Sequence, residues 1–395
     1  MTTPSLRHAL LDWFDKHQRA LPWRQTKDPY AIWISEVMLQ QTQVVTVIPY
    51  WRNFMERFPS VASLAAAELP DVFAMWRGLG YYSRARNLHR AAQQIVSEHG
   101  GELPKTAALL LTLPGFGRYT AGAVASIAHG EAAPLVDGNV ARVFSRLFEV
   151  EGPPGDRERE KRLWALAERH VAGERPGDWN QALMELGATV CRTDNPQCLL
   201  CPVRTHCIAL SKGRVSELPP PKVRPPRKSL RLAVAIVRRD DLFLFARREE
   251  GGLFGGLWEL PAAELSADAE DPQDVLSFLL GSSARVGRSL GEVRRTLTHR
   301  DLSLALYEVT LSRAPTAARA GVQEWRWATV AESSALGMST AMQKALALAS
   351  SQPPSPRPRS TSAGARKRAL PSDANVAEPG GQHGARIRNV VRRHP

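Results

Sequence analysis

The chain has 395 residues and a formal charge of +13 at pH 7, so it is long enough for two domains and basic enough to suggest a nucleic-acid partner. No stretch approaches the run of about 18 apolar residues that a membrane-spanning helix requires, so we expect no membrane association. The excess charge is concentrated in residues 212–228, with a net +5, and in residues 351–395, with a net +7. Such segments either add salt-sensitive affinity for DNA or keep the chain solvated, and charge alone does not distinguish these roles.

Residues 1–211 carry the pattern of a mainly helical domain. Apolar residues recur at spacings of three and four, and turn-rich breaks separate these runs, which cover residues 6–14, 32–47, 88–96 and 163–171. A proline-rich basic segment then predicts an extended linker over residues 212–229.

From residue 230 the pattern changes to short strand-like segments around one helical stretch near residues 275–280. The strand-like segments are residues 232–237, 242–246, 302–309 and 325–328. They predict an α+β domain over residues 230–348. Residues 349–395 are rich in Pro, Ser, Arg and Gly and too poor in apolar residues to fold, so we expect a disordered basic tail.

All four cysteines of the chain lie within residues 191–207, as Cys191, Cys198, Cys201 and Cys207. Four thiolates this close in sequence can hold a tetrahedral zinc ion or a cubane iron–sulfur cluster. Disulfides are the simpler alternative, but residues 1–11 lack the continuous apolar core of a secretory signal, and a reducing cytosol would not keep such bonds. The cysteines therefore predict a metal site, with zinc and iron–sulfur both open.

Residues 113–124 read LPGFGRYTAGAV, a glycine turn followed by helical spacing. Gly115 and Gly117 permit unusual backbone angles, and the free amides that start the next helix, at Arg118, can hold a phosphate. An ordinary interhelical turn is the alternative reading. With apolar helical runs on both sides, the full string resembles a helix–hairpin–helix DNA-binding element.

Two carboxylates stand out as candidate catalytic groups. Glu36 lies inside an apolar helical segment, where burial should raise its pKa and let it act as an acid near neutral pH. The alternative is a buried Glu paired with an arginine. Asp137 precedes Gly138 and a helical segment, so on its own it would most simply cap that helix.

The order of these features resembles the endonuclease III superfamily of DNA glycosylases: hairpin, Asp137, then the four cysteines. Residues 33–44, WISEVMLQQTQV, resemble its adenine-specific branch, the MutY family. The resemblance implies a [4Fe–4S] cluster on the four cysteines. It also implies that Glu36 protonates adenine and later helps deliver water, while Asp137 stabilises or transiently bonds the sugar carbon, since cleavage needs both an acid and a negative charge near the sugar.

Tyr119 occupies the position at which the endonuclease III branch carries a lysine that attacks the sugar. Because a phenol cannot form a Schiff base, the resemblance implies a monofunctional hydrolase with Tyr119 against the developing cation. A tyrosine that only packs at the hairpin is the alternative.

Further positions follow from the same family match and would otherwise be ordinary surface or core residues. Arg24 and Gln181 match residues that line the adenine pocket. Gln41, Thr42 and Tyr81 match residues that fill or wedge the duplex once the base is flipped out, which offsets part of the cost of unstacking.

Residues 230–348 resemble the Nudix-like C-terminal domain of MutY. The stretch 274–281 is apolar where working Nudix hydrolases carry magnesium-binding carboxylates, so we expect no pyrophosphatase activity. Thr298 and His299 match the loop that inspects the oxidised guanine, and both can exchange hydrogen bonds with a base edge. Leu297 departs from the family's aromatic residue at that loop.

The sequence therefore predicts an adenine DNA glycosylase of base excision repair that acts as a monomer on double-stranded DNA with adenine opposite 8-oxoguanine or guanine. Its expected location is cytoplasmic and associated with the nucleoid. The rival interpretations are an endonuclease III-like lyase on oxidised pyrimidines and a non-catalytic iron–sulfur DNA-binding protein. Tyr119, Glu36 and the second domain disfavour the lyase, and the pair of Glu36 and Asp137 disfavours the non-catalytic protein.

Overall fold

The computed structural model describes residues 5–221, 226–266, 270–318 and 320–354. The first part of the chain is built from helices, and the second from two small sheets with two helices. The predicted tail lies outside the described residues from 355 onward. The predicted boundaries at residues 211, 229 and 348 stay predictions, although helices occupy the chain up to Ser211 and the first strand begins at Lys228.

Twelve α-helices precede the first strand in the described residues. They are α1 Leu6–His17, α2 Pro29–Leu39, α3 Val44–Arg57, α4 Val61–Ala65, α5 Leu69–Trp76, α6 Tyr82–His99, α7 Ala107–Leu110, α8 Arg118–His129, α9 Gly138–Leu147, α10 Arg157–Val171, α11 Pro176–Thr189 and α12 Ile208–Ser211. Helices α1–α11 share one hydrophobic core, in which Trp33, Trp76 and Trp179 are fully buried. Within this core, α8 packs against both α2 and α11.

The periodicity of the apolar residues suggests one helix over residues 32–47, but the structure has two. α2 ends at Leu39 and α3 begins at Val44, with Gln41 in the left-handed region at φ 58°. The reason lies in Arg84 of α6, which donates to the carbonyl oxygens of Val37, Met38 and Gln40. These carbonyls are the ones left free at a helix end, so the guanidinium stabilises the break.

The second part contains β1 Lys228–Ile236, β2 Arg238–Arg239, β3 Leu242–Arg248, β4 Trp258–Glu259, β5 Ala262–Glu264, α13 Pro272–Leu280, β6 Arg285–Thr296, β7 Arg300–Thr310, β8 Val322–Ala328 and α14 Thr340–Ser350. One sheet has the order β5-β1-β7-β6, with β1 and β7 parallel and the outer pairs antiparallel. In the other, β2, β4 and β8 pair antiparallel with β3.

Both faces of β1 are covered. Leu232 and Val234 point into the core that includes α14, whereas Ala233 and Ala235 point into the core that includes α13. This alternation is what a pleated strand buried on both sides requires. It explains why a strand with so little polar character forms at the centre of this domain.

The two parts meet along a seam on α5 and α6. Leu257 is buried in the helical core, and the Tyr82 hydroxyl donates to the carbonyl of Met338 at 3.2 Å.

Within the described residues, every helix is too short or too polar to cross a lipid bilayer.

Candidate active site

A cavity of about 210 Å³ opens between α2, α8, α11 and the loop before α9. It is lined by polar and charged side chains that come from distant parts of the chain. Six of the residues singled out in the sequence line it together: Arg24, Glu36, Thr42, Tyr119, Asp137 and Gln181. The fold therefore brings the two candidate carboxylates into one pocket.

Glu36 is carried by α2 and is only 5% exposed. Its pKa is raised to about 7, chiefly by burial; the nearby charge of Asp137 also raises this pKa, whereas the hydrogen bond from Tyr119 and the charge of Arg24 lower it. The Tyr119 hydroxyl donates to Glu36 Oε2 at 2.5 Å. A carboxyl group with this pKa is partly protonated at neutral pH, which a general acid requires.

Asp137 both caps a helix and lines the pocket. Its Oδ1 accepts from the amide of Val140 at 2.7 Å, and its Oδ2 accepts from Asn139 Nδ2 at 2.9 Å. Burial raises the pKa of Asp137 even though these hydrogen bonds favour its charged form. The two hydrogen bonds fix where the carboxylate points within the pocket.

In the part of the chain that the structure describes, no arginine forms a hydrogen bond or ion pair with Glu36; its side-chain hydrogen bond comes from Tyr119. Arg24 instead donates to Glu185 Oε2 at 2.8 Å, and Arg19 donates to Glu185 Oε1 at 2.7 Å. Burial alone would raise the pKa of Glu185, but these hydrogen bonds hold it below its usual value. Sequence reasoning missed Arg19 and Glu185; the available signal was that Glu185 lies one helical turn after Gln181 in α11.

Gln41 and Tyr81 lie outside the cavity, on two exposed turns. Both have left-handed backbone, at φ 58° and 47°. Arg84 binds both turns, since it also donates to the Leu79 carbonyl at 3.1 Å and contacts Thr42 Oγ1 at 3.4 Å. The Tyr81 hydroxyl is hydrogen-bonded to Thr298 of the second domain.

The hairpin glycines and Arg118 form a surface separate from the pocket. Gly115 has φ +80°, and a Cβ there would lie 2.7 Å from Asn87 Cβ, so both the backbone and the space require glycine. Gly117 precedes α8, and a Cβ there would meet nothing. Arg118 lies 3.8 Å above the Trp164 ring and 3.4 Å from Glu168.

Thr298 and His299 form the exposed turn between β6 and β7, away from the Glu36 pocket. Leu297 packs on the core of the second domain, and its amide donates to the Arg300 carbonyl at 2.8 Å. The position where the family carries an aromatic residue is therefore a support of the turn in this chain.

The four cysteines line one small cavity and form no disulfide with one another. Arg146 lies in its wall, with Nη1 at 3.3 Å from Cys191 Sγ and further bonds to the carbonyls of Arg192 and Leu218. Among the described residues, no group of three or more His, Cys, Asp and Glu is placed to hold a single metal ion.

Fold and site together define a DNA N-glycosylase with a helix–hairpin–helix domain and a Nudix-like second domain. Residues 34–169 match the sequence model of the HhH-GPD superfamily base excision DNA repair protein, and residues 233–348 match that of the NUDIX domain. The adenine DNA glycosylases of Mus musculus and Homo sapiens are each 37% identical to this chain; the matches cover 86% of it and 77% and 73% of those proteins. That of Schizosaccharomyces pombe is 32% identical, covering 67% of this chain and 70% of its own.

The chain belongs to the adenine DNA glycosylase family, also called MutY. It is a hydrolase of base excision repair that acts on DNA. The predicted family, fold class and activity are therefore confirmed. The family and its endonuclease III relatives typically carry an iron–sulfur cluster.

Proposed function

We propose that the chain removes adenine opposite 8-oxoguanine, and also opposite guanine, from duplex DNA by hydrolysis without breaking the strand. The observation that carries this proposal is the shared pocket of Glu36 and Asp137, in which Glu36 is buried and hydrogen-bonded by Tyr119. Arg24 and Gln181, which line the same cavity, contact the adenine in this proposal.

Cleavage begins with protonation of the base, because an adenine anion is a poor leaving group. Glu36 supplies the proton, since its pKa of about 7 leaves part of the population protonated at neutral pH. The Tyr119 hydroxyl orients the carboxyl group through Oε2. After the base leaves, the ionised Glu36 helps deliver the water that completes hydrolysis.

Asp137 stabilises the positive charge that develops on the sugar, either through space or by a transient bond. Its orientation is fixed by the bonds from Val140 and Asn139. One carboxyl group acts as the acid and the other as the negative charge, the division of roles known from glycoside hydrolysis. Tyr119 carries no amine, so no Schiff base forms and the strand stays intact.

The remaining site residues handle the duplex. Gln41, Thr42 and Tyr81 fill or wedge the space left by the flipped adenine, which offsets the unstacking cost of a few kcal/mol. Gly115, Gly117 and Arg118 hold the DNA backbone at the start of α8. Thr298 and His299 read the edge of the opposite base. The hydrogen bond between Tyr81 and Thr298 supports this, because it joins the turn that carries Thr298 and His299 to a residue proposed to wedge the duplex.

Three duplexes test this function in single-turnover assays: adenine opposite 8-oxoguanine, adenine opposite guanine, and an oxidised thymine. We expect base release from the first two only, with strand breaks appearing only after alkali. Glu36→Gln should lower the rate by about 10²–10⁴-fold, the range for loss of a general acid. Glu98→Gln, on the exposed face of α6, is the matched control. Release only from the third duplex, or strand breaks before alkali, would contradict the proposal.

We further propose that Cys191, Cys198, Cys201 and Cys207 hold a [4Fe–4S] cluster that braces the helical domain. Four sulfur donors around one cavity, with the Arg146 cation beside Cys191, fit an anionic cluster that needs deprotonated thiols. The purified protein should be brown and contain about four iron atoms and four sulfides per chain. A colourless protein with one zinc ion would contradict the cluster and leave the glycosylase proposal standing.

A further inference from the structure

Glu185 is a buried carboxylate in the pocket wall that the proposed mechanism does not use. Its side chain is fully buried, and it lies on the same face of α11 as Gln181. Oε1 accepts from Arg19 Nε at 2.7 Å and from the Arg19 amide at 3.2 Å. Oε2 accepts from Arg19 Nη2 and Arg24 Nη2, both at 2.8 Å. The carboxylate therefore holds two guanidinium groups at once.

Arg24 depends on Glu185 for its charge balance. Its side chain is 10% exposed, so water solvates it poorly. Its other bond within the pocket wall runs from Nη1 to the neutral carbonyl of Arg19 at 3.2 Å. Loss of the Glu185 charge would leave a desolvated cation in the same cavity as the candidate acid.

The charged and titratable groups around Glu36 come from each element that packs on α2. Tyr119 reaches it from α8, Asp137 from the loop before α9, and Arg24 from the segment before α2. α6 presents Arg84 to the carbonyls at the C-terminal end of α2, and α3 contacts α2 through the Trp51 indole, which donates to the Ala31 carbonyl. Arg24 is the cation that favours ionised Glu36.

We propose that Glu185 is a positioning residue for adenine release: it anchors Arg24 and offsets its charge, and so favours the protonated form of Glu36. This inference rests on the proposed function, in which Glu36 donates the proton. Glu185 acts through Arg24 and need not touch the substrate. Arg19 has the opposite influence, because its positive charge offsets part of the charge of Glu185.

Two substitutions with opposite expected signs test the proposal. The single-turnover rate should fall as pH rises through the Glu36 pKa, because the acid then loses its proton. In Glu185→Gln the uncompensated Arg24 stabilises ionised Glu36, so the midpoint of that fall should move down by about one pH unit. Arg19→Gln removes one of the two cations bound to Glu185. More of the Glu185 charge then acts on Arg24, so the midpoint should move up.

The assay uses the full chain and the duplex with adenine opposite 8-oxoguanine. Glu149→Gln is the matched control, because Glu149 also binds two basic residues, Lys212 and Arg214, away from the pocket. Its midpoint should equal that of the unsubstituted protein. Thermal unfolding checks that the variants fold. If Glu185→Gln does not fold, the midpoint of Arg19→Gln tests the proposal, because the Arg19 side chain is 40% exposed and its replacement disturbs the core less.

The assay distinguishes failure of the proposed function from failure of the role of Glu185. No adenine release by the unsubstituted protein would overturn the proposed function. Release by the unsubstituted protein, with midpoints in the folded variants equal to that of Glu149→Gln, would overturn the role of Glu185 alone.

Discussion

At the scale of single residues, the contact between Tyr119 and Glu36 determines how the pocket can work. The pKa of Tyr119 is raised well above its usual value by burial and by the two carboxylates, so the hydroxyl stays protonated and donates. That donation favours ionised Glu36, while burial favours the protonated form. The balance leaves Glu36 near pKa 7, within reach of both states that the reaction needs.

Replacing Tyr119 with phenylalanine should make Glu36 a weaker acid. The hydrogen bond from Tyr119 to Oε2 lowers the pKa of Glu36. Because the substitution removes this bond, the pKa of Glu36 should rise above about 7. The single-turnover rate of adenine release should then fall with rising pH at a higher midpoint. Tyr30→Phe is the control, because its hydroxyl donates to the Phe58 carbonyl at 2.8 Å and does not line the pocket. A midpoint that falls or stays fixed in Tyr119→Phe would show that the bond does not tune Glu36.

Sequence and structure differ in how much of the pocket each reveals. Glu36 could be singled out because a carboxyl group within an apolar helical run is costly to ionise. Glu185 could not, because a glutamate in an amphipathic helix most often faces water, and its two arginines lie more than 160 positions away in sequence. Only folding shows that α11 turns this residue inward, towards Arg19 and Arg24.

At the scale of elements, the helix that starts at the hairpin joins two tasks. α8 begins at Arg118, where free amides can hold the DNA backbone, and its second residue, Tyr119, reaches Glu36. A shift of the hairpin on DNA would therefore move Tyr119 and its hydrogen bond to Glu36. The start of α9 likewise combines two roles, because Asp137 is both the N-cap of this helix and a catalytic candidate.

Local patterns located most elements but not where they break. The periodicity of residues 32–47 continues through the turn at Gln41, because what ends α2 is a distant side chain, Arg84. β6 was also missed: the stretch Arg285–Thr296 is rich in arginine and glycine, largely exposed, and without clear alternation. It becomes a strand by pairing with β7, a contact that no local pattern encodes.

At the scale of the whole molecule, the seam between the two domains determines how the turn at Thr298 and His299 lies against Tyr81. Gly337 lies at this seam, and a Cβ there would be 2.9 Å from Phe73 Cβ and Cδ2. Its backbone cannot easily move away, since its carbonyl accepts from the Trp258 amide at 2.9 Å. The seam therefore fixes the second domain against α5 and, through it, Thr298 beside Tyr81.

Gly337→Ala should loosen this alignment and lower the preference for 8-oxoguanine over guanine as the opposite base. Overpacking of this kind costs about 1–3 kcal/mol, and each kcal/mol lost in the alignment lowers the preference by about fivefold. Adenine release opposite guanine should change less, because Glu36 and Asp137 lie on the helical domain. Single-turnover rates and affinities on the two duplexes give the preference for 8-oxoguanine over guanine. Gly287→Ala is the matched control in the same domain, since a Cβ there comes no closer than 3.3 Å, to the Glu308 carbonyl oxygen. Equal losses on both duplexes would mean that the seam supports folding or catalysis, and not the reading of the opposite base.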